Sequence, residues 1–324
     1  MSHLRVVLVL AAAIVTGALT TSSQATPPGK NGRIAFMRKD EGGHWQIWIA
    51  GRRLEGARQI TSGAADSGWP VWSPDGRKLA FDSSRTDPKP NDSTAINDVF
   101  TMNPNGSNVT KLTDSVGASA DAAWSPDGSL IAFDADRGDA TSQQGIYVMR
   151  PDGSDVRRVT TRPAGYQADL APRFSPDGRW LVFTRYRGSG RSEKAALYVV
   201  RLDGTGLRRL TTFAIHAGDA DWSPQGKRIV FEAYPSPRSY GDVWVIGVNG
   251  RGLRNLTRNP PGEAGSADPV WSPDGTRILF LDNRVVRGKG RTGLATMRPD
   301  GSARTFLSRA NIESHQPGWQ SIHS

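Results

Sequence analysis

One pentapeptide recurs along this chain at a nearly fixed interval, and that recurrence limits the fold more than any bulk property does. Trp-Ser-Pro-Asp-Gly occurs at Trp72–Gly76, Trp124–Gly128 and Trp271–Gly275, with variants at Phe174–Gly178 and at Trp222–Gly226, where Gln225 stands in place of the aspartate. A degenerate copy, Pro317-Gly318-Trp319, closes the series. The aromatic positions 72, 124, 174, 222, 271 and 319 are separated by 52, 50, 48, 49 and 48 residues. A period of this size marks a repeat architecture, in which each unit buries its apolar faces against its neighbours.

Each unit carries the same parts. Proline presets φ at the second turn position, aspartate suits the third, and glycine takes the left-handed residue that closes the hairpin. Five residues after that glycine stands Phe81, Phe133, Phe183, Phe231 or Phe280, ending an apolar strand such as Leu130-Ile131-Ala132-Phe133. A third strand follows, then a second turn with glycine at Gly106, Gly153, Gly204, Gly250 or Gly301. Asn-Gly or Asp-Gly between apolar runs is a strong hairpin signal. A fourth strand is expected to end seven residues later, at Thr113, Thr160, Thr211, Thr257 and Ser308.

Four short antiparallel strands per unit make one propeller blade. The N-terminal part supplies strands two to four of a blade, Gly32–Phe36, Gln46–Ile49 and a strand ending at Thr61; the C-terminal part supplies only a first strand near Pro317–Gln320. Joining the two fragments removes the open edge of the ring. The expected fold is all-β: a six-bladed β-propeller over 32–321, with four antiparallel strands per blade, closed by the C-terminal strand joining the N-terminal blade.

Ahead of it, Arg5, the apolar run Val6–Leu19 and the small-x-small site Ser23-Gln24-Ala25 read as a signal peptide over 1–25,. Residues 26–31 form a short leader. No later segment is apolar enough to span a bilayer. The expectation is export to the periplasm or the exterior as a monomer. Cysteine is absent, so disulfides and thiolate metal sites are excluded. The net charge of +10 is scattered and does not form a nucleic-acid patch. Much of it lies on the outermost strands, at Arg58, Arg157-Arg158, Arg208-Arg209 and Arg254, where cations guard an exposed edge; contact with anionic glycan or phospholipid is the alternative.

The repeated Trp-Ser-Pro-Asp-Gly followed by an Ile-Ala-Phe-like strand resembles the TolB-type propeller repeat, over roughly residues 32 to 321. Full-length TolB proteins carry an N-terminal α/β domain before the propeller. This chain is expected to start its first blade within about ten residues of the cleavage site, without that domain, so it resembles a stand-alone exported propeller of that repeat family and the resemblance does not carry the Tol–Pal role over.

The lengths that vary, from phenylalanine to the second-turn glycine and from Thr or Ser to the next aromatic, fall on one face. Function tends to sit on such loops. Three residues before each aromatic, at the start of the innermost strand, stand Trp69, Asp121, Ala171, Asp219, Asp268 and Gln316, with His216 and His315 just before. Asp121, Asp219 and Asp268 are candidate ligands of a hard cation such as Ca²⁺ at the channel mouth; the competing reading is strand capping, or pairing with Arg85, Arg137, Arg187 and Arg284, which recur four residues after the phenylalanines. Gly288–Gly293 matches a GxGxxG pattern but lacks the following helix a nucleotide site needs. No Gly-x-Ser-x-Gly is present, which excludes a serine hydrolase elbow. The function expected is a non-enzymatic protein-binding scaffold at the envelope or outside the cell, with no resident cofactor. The alternatives are a channel-mouth cation or small-ligand module, and a glycan lyase or hydrolase using His216 or His315.

Overall fold

The computed structural model describes residues 28–322, apart from 91, 93–94, 115–116, 138–143, 190–192, 237–238, 263, 287–288 and 308–314. The expected signal peptide, the start of the leader and Ser308 lie outside the described residues.

Six four-stranded antiparallel sheets follow one another around a ring. Blade two is Ser67–Trp72, Leu79–Ser83, Asp98–Met102 and Thr110–Lys111. Blades three to six repeat the pattern, their first strands being Ser119–Trp124, Tyr166–Phe174, Ala217–Trp222 and Gly265–Trp271. Blade one is composite. Its innermost strand, His315–Ile322, comes from the C-terminal end and pairs with Lys30–Lys39; Trp45–Ala50 and Arg58–Gln59 complete it. Among the described residues, the one helical element is a 3₁₀ turn, Phe213–Ile215.

The motif residues explain themselves. In blade two, Gly76 N–H donates to Ser73 O at 2.9 Å and Gly76 adopts φ 67°, while Ser73 Oγ donates to Asp75 Oδ1 at 2.6 Å. Asp75 also accepts Arg77 N–H. The aspartate is a turn former because its carboxylate satisfies both groups. The aromatic and phenylalanine positions fill the spaces between blades: Trp222 and Phe231 of blade five pack on Val182, Leu197 and Val199 of blade four. Trp319 and Phe36 of blade one pack on Val270, Leu279 and Leu294 of blade six, sealing the ring.

The fourth strands are only two residues long, shorter than the sequence pattern suggests, and stop two positions before the repeated threonine. The threonine hydroxyl takes over the next rung of the ladder. Thr61, Thr113, Thr160, Thr211 and Thr257 accept the N–H of Ile47, Val99, Ile146, Leu197 and Val243 at 2.8–3.0 Å. A side chain thus satisfies a backbone donor that the shortened strand leaves behind.

Adjacent blades are tied at the rim. Arg58, Arg157, Arg208 and Arg254 each donate to a carbonyl of the next blade's second turn, at Pro104, Leu202, Val248 and Pro299, over 2.6–3.2 Å. The basic outer strands therefore staple adjacent blades together. The second-turn glycines fit the same seam: a Cβ on Gly106 would stand 2.4 Å from Ile60 O of the preceding blade.

Candidate functional site at the channel mouth

Each first strand touches the first strands of both neighbouring blades, so these six strands line the axis. All six carry a bulge at the same place. At the bulge the residue three before the aromatic is left-handed: Trp69, Asp121, Ala171, Asp219, Asp268 and Gln316 have φ of 46–59°. Left-handed backbone suits aspartate better than most residues, and a bulge re-aims a side chain.

The freed N–H of the bulge is captured across the blade boundary by a carboxylate that sequence reasoning missed. Asp82 Oδ2 accepts Asp121 N–H at 2.8 Å, Asp134 Oδ1 accepts Ala171 N–H at 3.1 Å, and Glu232 Oε2 accepts Asp268 N–H at 3.2 Å. Asp82, Asp134 and Glu232 each directly follow the repeated phenylalanine. That shared position, polar in an otherwise apolar strand, is the signal that could have found them.

The three aspartates singled out by sequence divide between two groups. Asp121 lies with Asp82 and Asp134, and its carboxyl hydrogen-bonds that of Asp134. Asp219 and Asp268 lie with Glu232: one carboxylate oxygen from each comes within 4.8 Å of the others, and all three residues are buried. Asp219 also hydrogen-bonds Glu232. Gln316 Nε2 donates to Asp268 Oδ1 at 3.0 Å, and His315 Nδ1 stands 3.7 Å from Asp268 Oδ2. Asp221, whose Oδ2 accepts Trp271 N–H at 2.6 Å, is buried as these carboxyl groups are. Arg173 opposes them. It is fully buried, its Nη1 donates to Pro172 O and Asp121 O, and it feels the charges of Asp121, Asp221, Asp219 and Asp82.

Such crowding moves protons. Burial, and then the neighbouring Asp121 charge, raise Asp82 and Asp134 well above the usual carboxylate range. Burial and the charge of Asp268 push Glu232 up to about 7. Removing water disfavours the ionised form, and a like charge nearby adds to the effect. Burial lowers His216, which sits edge-on between Tyr186 and Tyr234 at 6.4 and 6.3 Å. Tyr234 hydroxyl donates to Glu232 Oε1 at 3.1 Å.

The remaining sequence candidates stand outside these two groups of carboxyls. Arg85 donates to Ser67 and Ser83 and covers Phe81 and Phe100. Arg137 lies over Tyr147 and Arg187 over Phe213. Arg284 pairs with Asp282 at 3.2 Å. Trp69 occupies the blade-two bulge, half-buried. The Gly-rich segment runs into the strand Lys289–Met297, with no helix after it; Gly288 lies outside the described residues.

The family described as the TolB beta propeller domain matches residues 141–323. The chain is 35% identical over 102 residues to the Tol-Pal system protein TolB of Anaeromyxobacter dehalogenans, covering 32% of this chain and 21% of that protein. It is 29% identical over 189 residues to an uncharacterised peptidase of Bacillus subtilis, covering 58% of this chain and 25% of that protein. The crystal structure of TolB from Acinetobacter baumannii superposes with a TM-score of 0.69 at 22% identity, over 92% of this chain and 68% of that one. The matched stretches span well under half the length of the curated relatives. With a family match over more than half its length and six blades of the expected build, the chain belongs to the TolB β-propeller domain family.

Proposed function

We propose that this chain is an exported, non-enzymatic envelope propeller whose loop face binds a protein partner, with the channel mouth receiving a cationic group of that partner. The observation that carries this reading is the excess of buried carboxylates around Arg173. A cluster with more acid than base attracts positive charge, and a low-dielectric wall strengthens the attraction. The relative of Anaeromyxobacter dehalogenans is named as a protein of the Tol-Pal system, and membership of a multi-protein system supports a protein partner. No helix among the described residues is long and apolar enough to cross a membrane.

The convergence of Asp219, Glu232 and Asp268 favours a second reading, a divalent cation held by carboxylate oxygens. Oxygen donors of this kind suit Ca²⁺, and the set differs from the sequence expectation by having Glu232 in place of Asp121. One experiment separates the two. The chain and its Asp219→Asn/Asp268→Asn variant are crosslinked to envelope extract and also melted with and without Ca²⁺. The scaffold reading expects a crosslinked protein that the variant loses; its absence under several chemistries sinks that reading. The cation reading expects Ca²⁺ to raise the melting temperature of the parent only, since ligand at 100 times Kd stabilises by about 2.7 kcal/mol.

A further inference from the structure

The face opposite the loops is built from tight turns of constant length, and one blade departs from the rest there. Blade one carries Glu55 in its turn; blades two, three, four and six carry Asp75, Asp127 and Asp152, Asp177 and Asp203, and Asp274 and Asp300. In blade five the first-turn aspartate is replaced by Gln225 and the second by Asn249. The turn itself needs only an acceptor. Asn249 Oδ1 accepts Arg251 N–H at 3.0 Å, as Asp152 Oδ1 accepts Ser154 N–H at 2.9 Å. The amide keeps the fold and drops the negative charge.

Around these two turns lie Lys227, Arg228, Arg251 and Arg254, all exposed, lining one shallow groove with no carboxylate. Arg208 reaches in from blade four to Val248 O at the groove's edge. Leu207 and Leu253, 43% and 44% exposed, stand at the same repeat position in adjacent blades, each beside these arginines. Five cations and two outward leucines thus share one corner of the turn face.

We propose that this corner docks on a bilayer bearing acidic phospholipid head groups. Cations attract such a surface additively, and apolar side chains between them enter the boundary between head groups and acyl chains. Docking there leaves the loop face and channel mouth pointing away from the lipid.

The test is co-sedimentation of the full chain with phosphatidylcholine vesicles, with and without phosphatidylglycerol, at low and high salt. Binding is expected only with phosphatidylglycerol, and salt should weaken it. Lys227→Gln/Arg251→Gln should lower partitioning roughly 30-fold, about fivefold per charge. Arg77→Gln/Lys78→Gln removes the same charge from blade two, across the ring, and should lower it no more than about twofold if contact is local. Leu253→Ser should weaken binding while leaving its salt dependence unchanged. Equal losses from the two double variants would mean general basicity and overturn the assignment. So would equal binding to neutral vesicles, or no binding to acidic ones at low salt. Capture of polyglutamate through the same two residues, with vesicles ignored, would instead make the corner a site for an acidic polypeptide and equally overturn the lipid proposal.

Discussion

Glu232 illustrates what the channel asks of single residues. It is 5% exposed, accepts the Asp268 N–H and the Tyr234 hydroxyl, and has its pKa raised from an ordinary 4.5 to about 7. The folded chain therefore holds this proton more tightly than the unfolded one. Its contribution to stability is fully present below pH 4.5 and is lost as pH rises through about 7, amounting to roughly 3 kcal/mol for a shift of that size. Asp82 and Asp134, also raised, act in the same direction. Denaturant melts in metal-free buffer should show stability falling between pH 5 and pH 8, with a flatter profile for Glu232→Gln; an unchanged profile would mean that Glu232 is already ionised. At this scale the sequence was legible only in part. Counting back from each aromatic located Asp121, Asp219 and Asp268. It could not show that Asp82, Asp134 and Glu232 meet the neighbouring blade's bulge, because the partners lie 36–39 residues away and nothing local records the crossing. Arg173 went unread, because its carboxylate neighbours Asp82, Asp121, Asp219 and Asp221 come from other blades.

Within a blade, the second turn shows how backbone conformation and neighbour contact differ as constraints. Gly106 and Gly252 both have positive φ, 86° and 72°. A Cβ on Gly106 would meet Ile60 O at 2.4 Å, whereas one on Gly252 would meet nothing within 4 Å. Gly252→Ala should cost only the left-handed conformation, about 1 kcal/mol. Gly106→Ala must also push two blades apart and should cost roughly 3 kcal/mol or more. Similar urea midpoints for the two variants would show that the seam yields. The turns were readable because Pro, Asp and Gly act through their own dihedrals. The length of the fourth strand was not, because a threonine hydroxyl that replaces a ladder bond looks in sequence like the strand's own last residue.

For the whole molecule, closure rests on His315–Ile322 completing blade one. Without it, Lys30–Lys39 becomes a bare edge and Trp319 leaves the cluster it shares with Phe36 and Val270. Deleting residues 315–322 should abolish the single cooperative melt and produce aggregates by size exclusion, since open edges pair with other chains; a monomer melting as sharply as the parent would refute the closure role. The same pairing has a mechanical side. Lys30 lies opposite Ile322, so the two ends of the ring leave side by side from one end of a shared ladder. A force drawing them apart loads the rungs one at a time, as a zipper is opened, and never all at once in shear. Tethered by both ends, the disc would come undone at blade one under modest tension, with the other five sheets still intact.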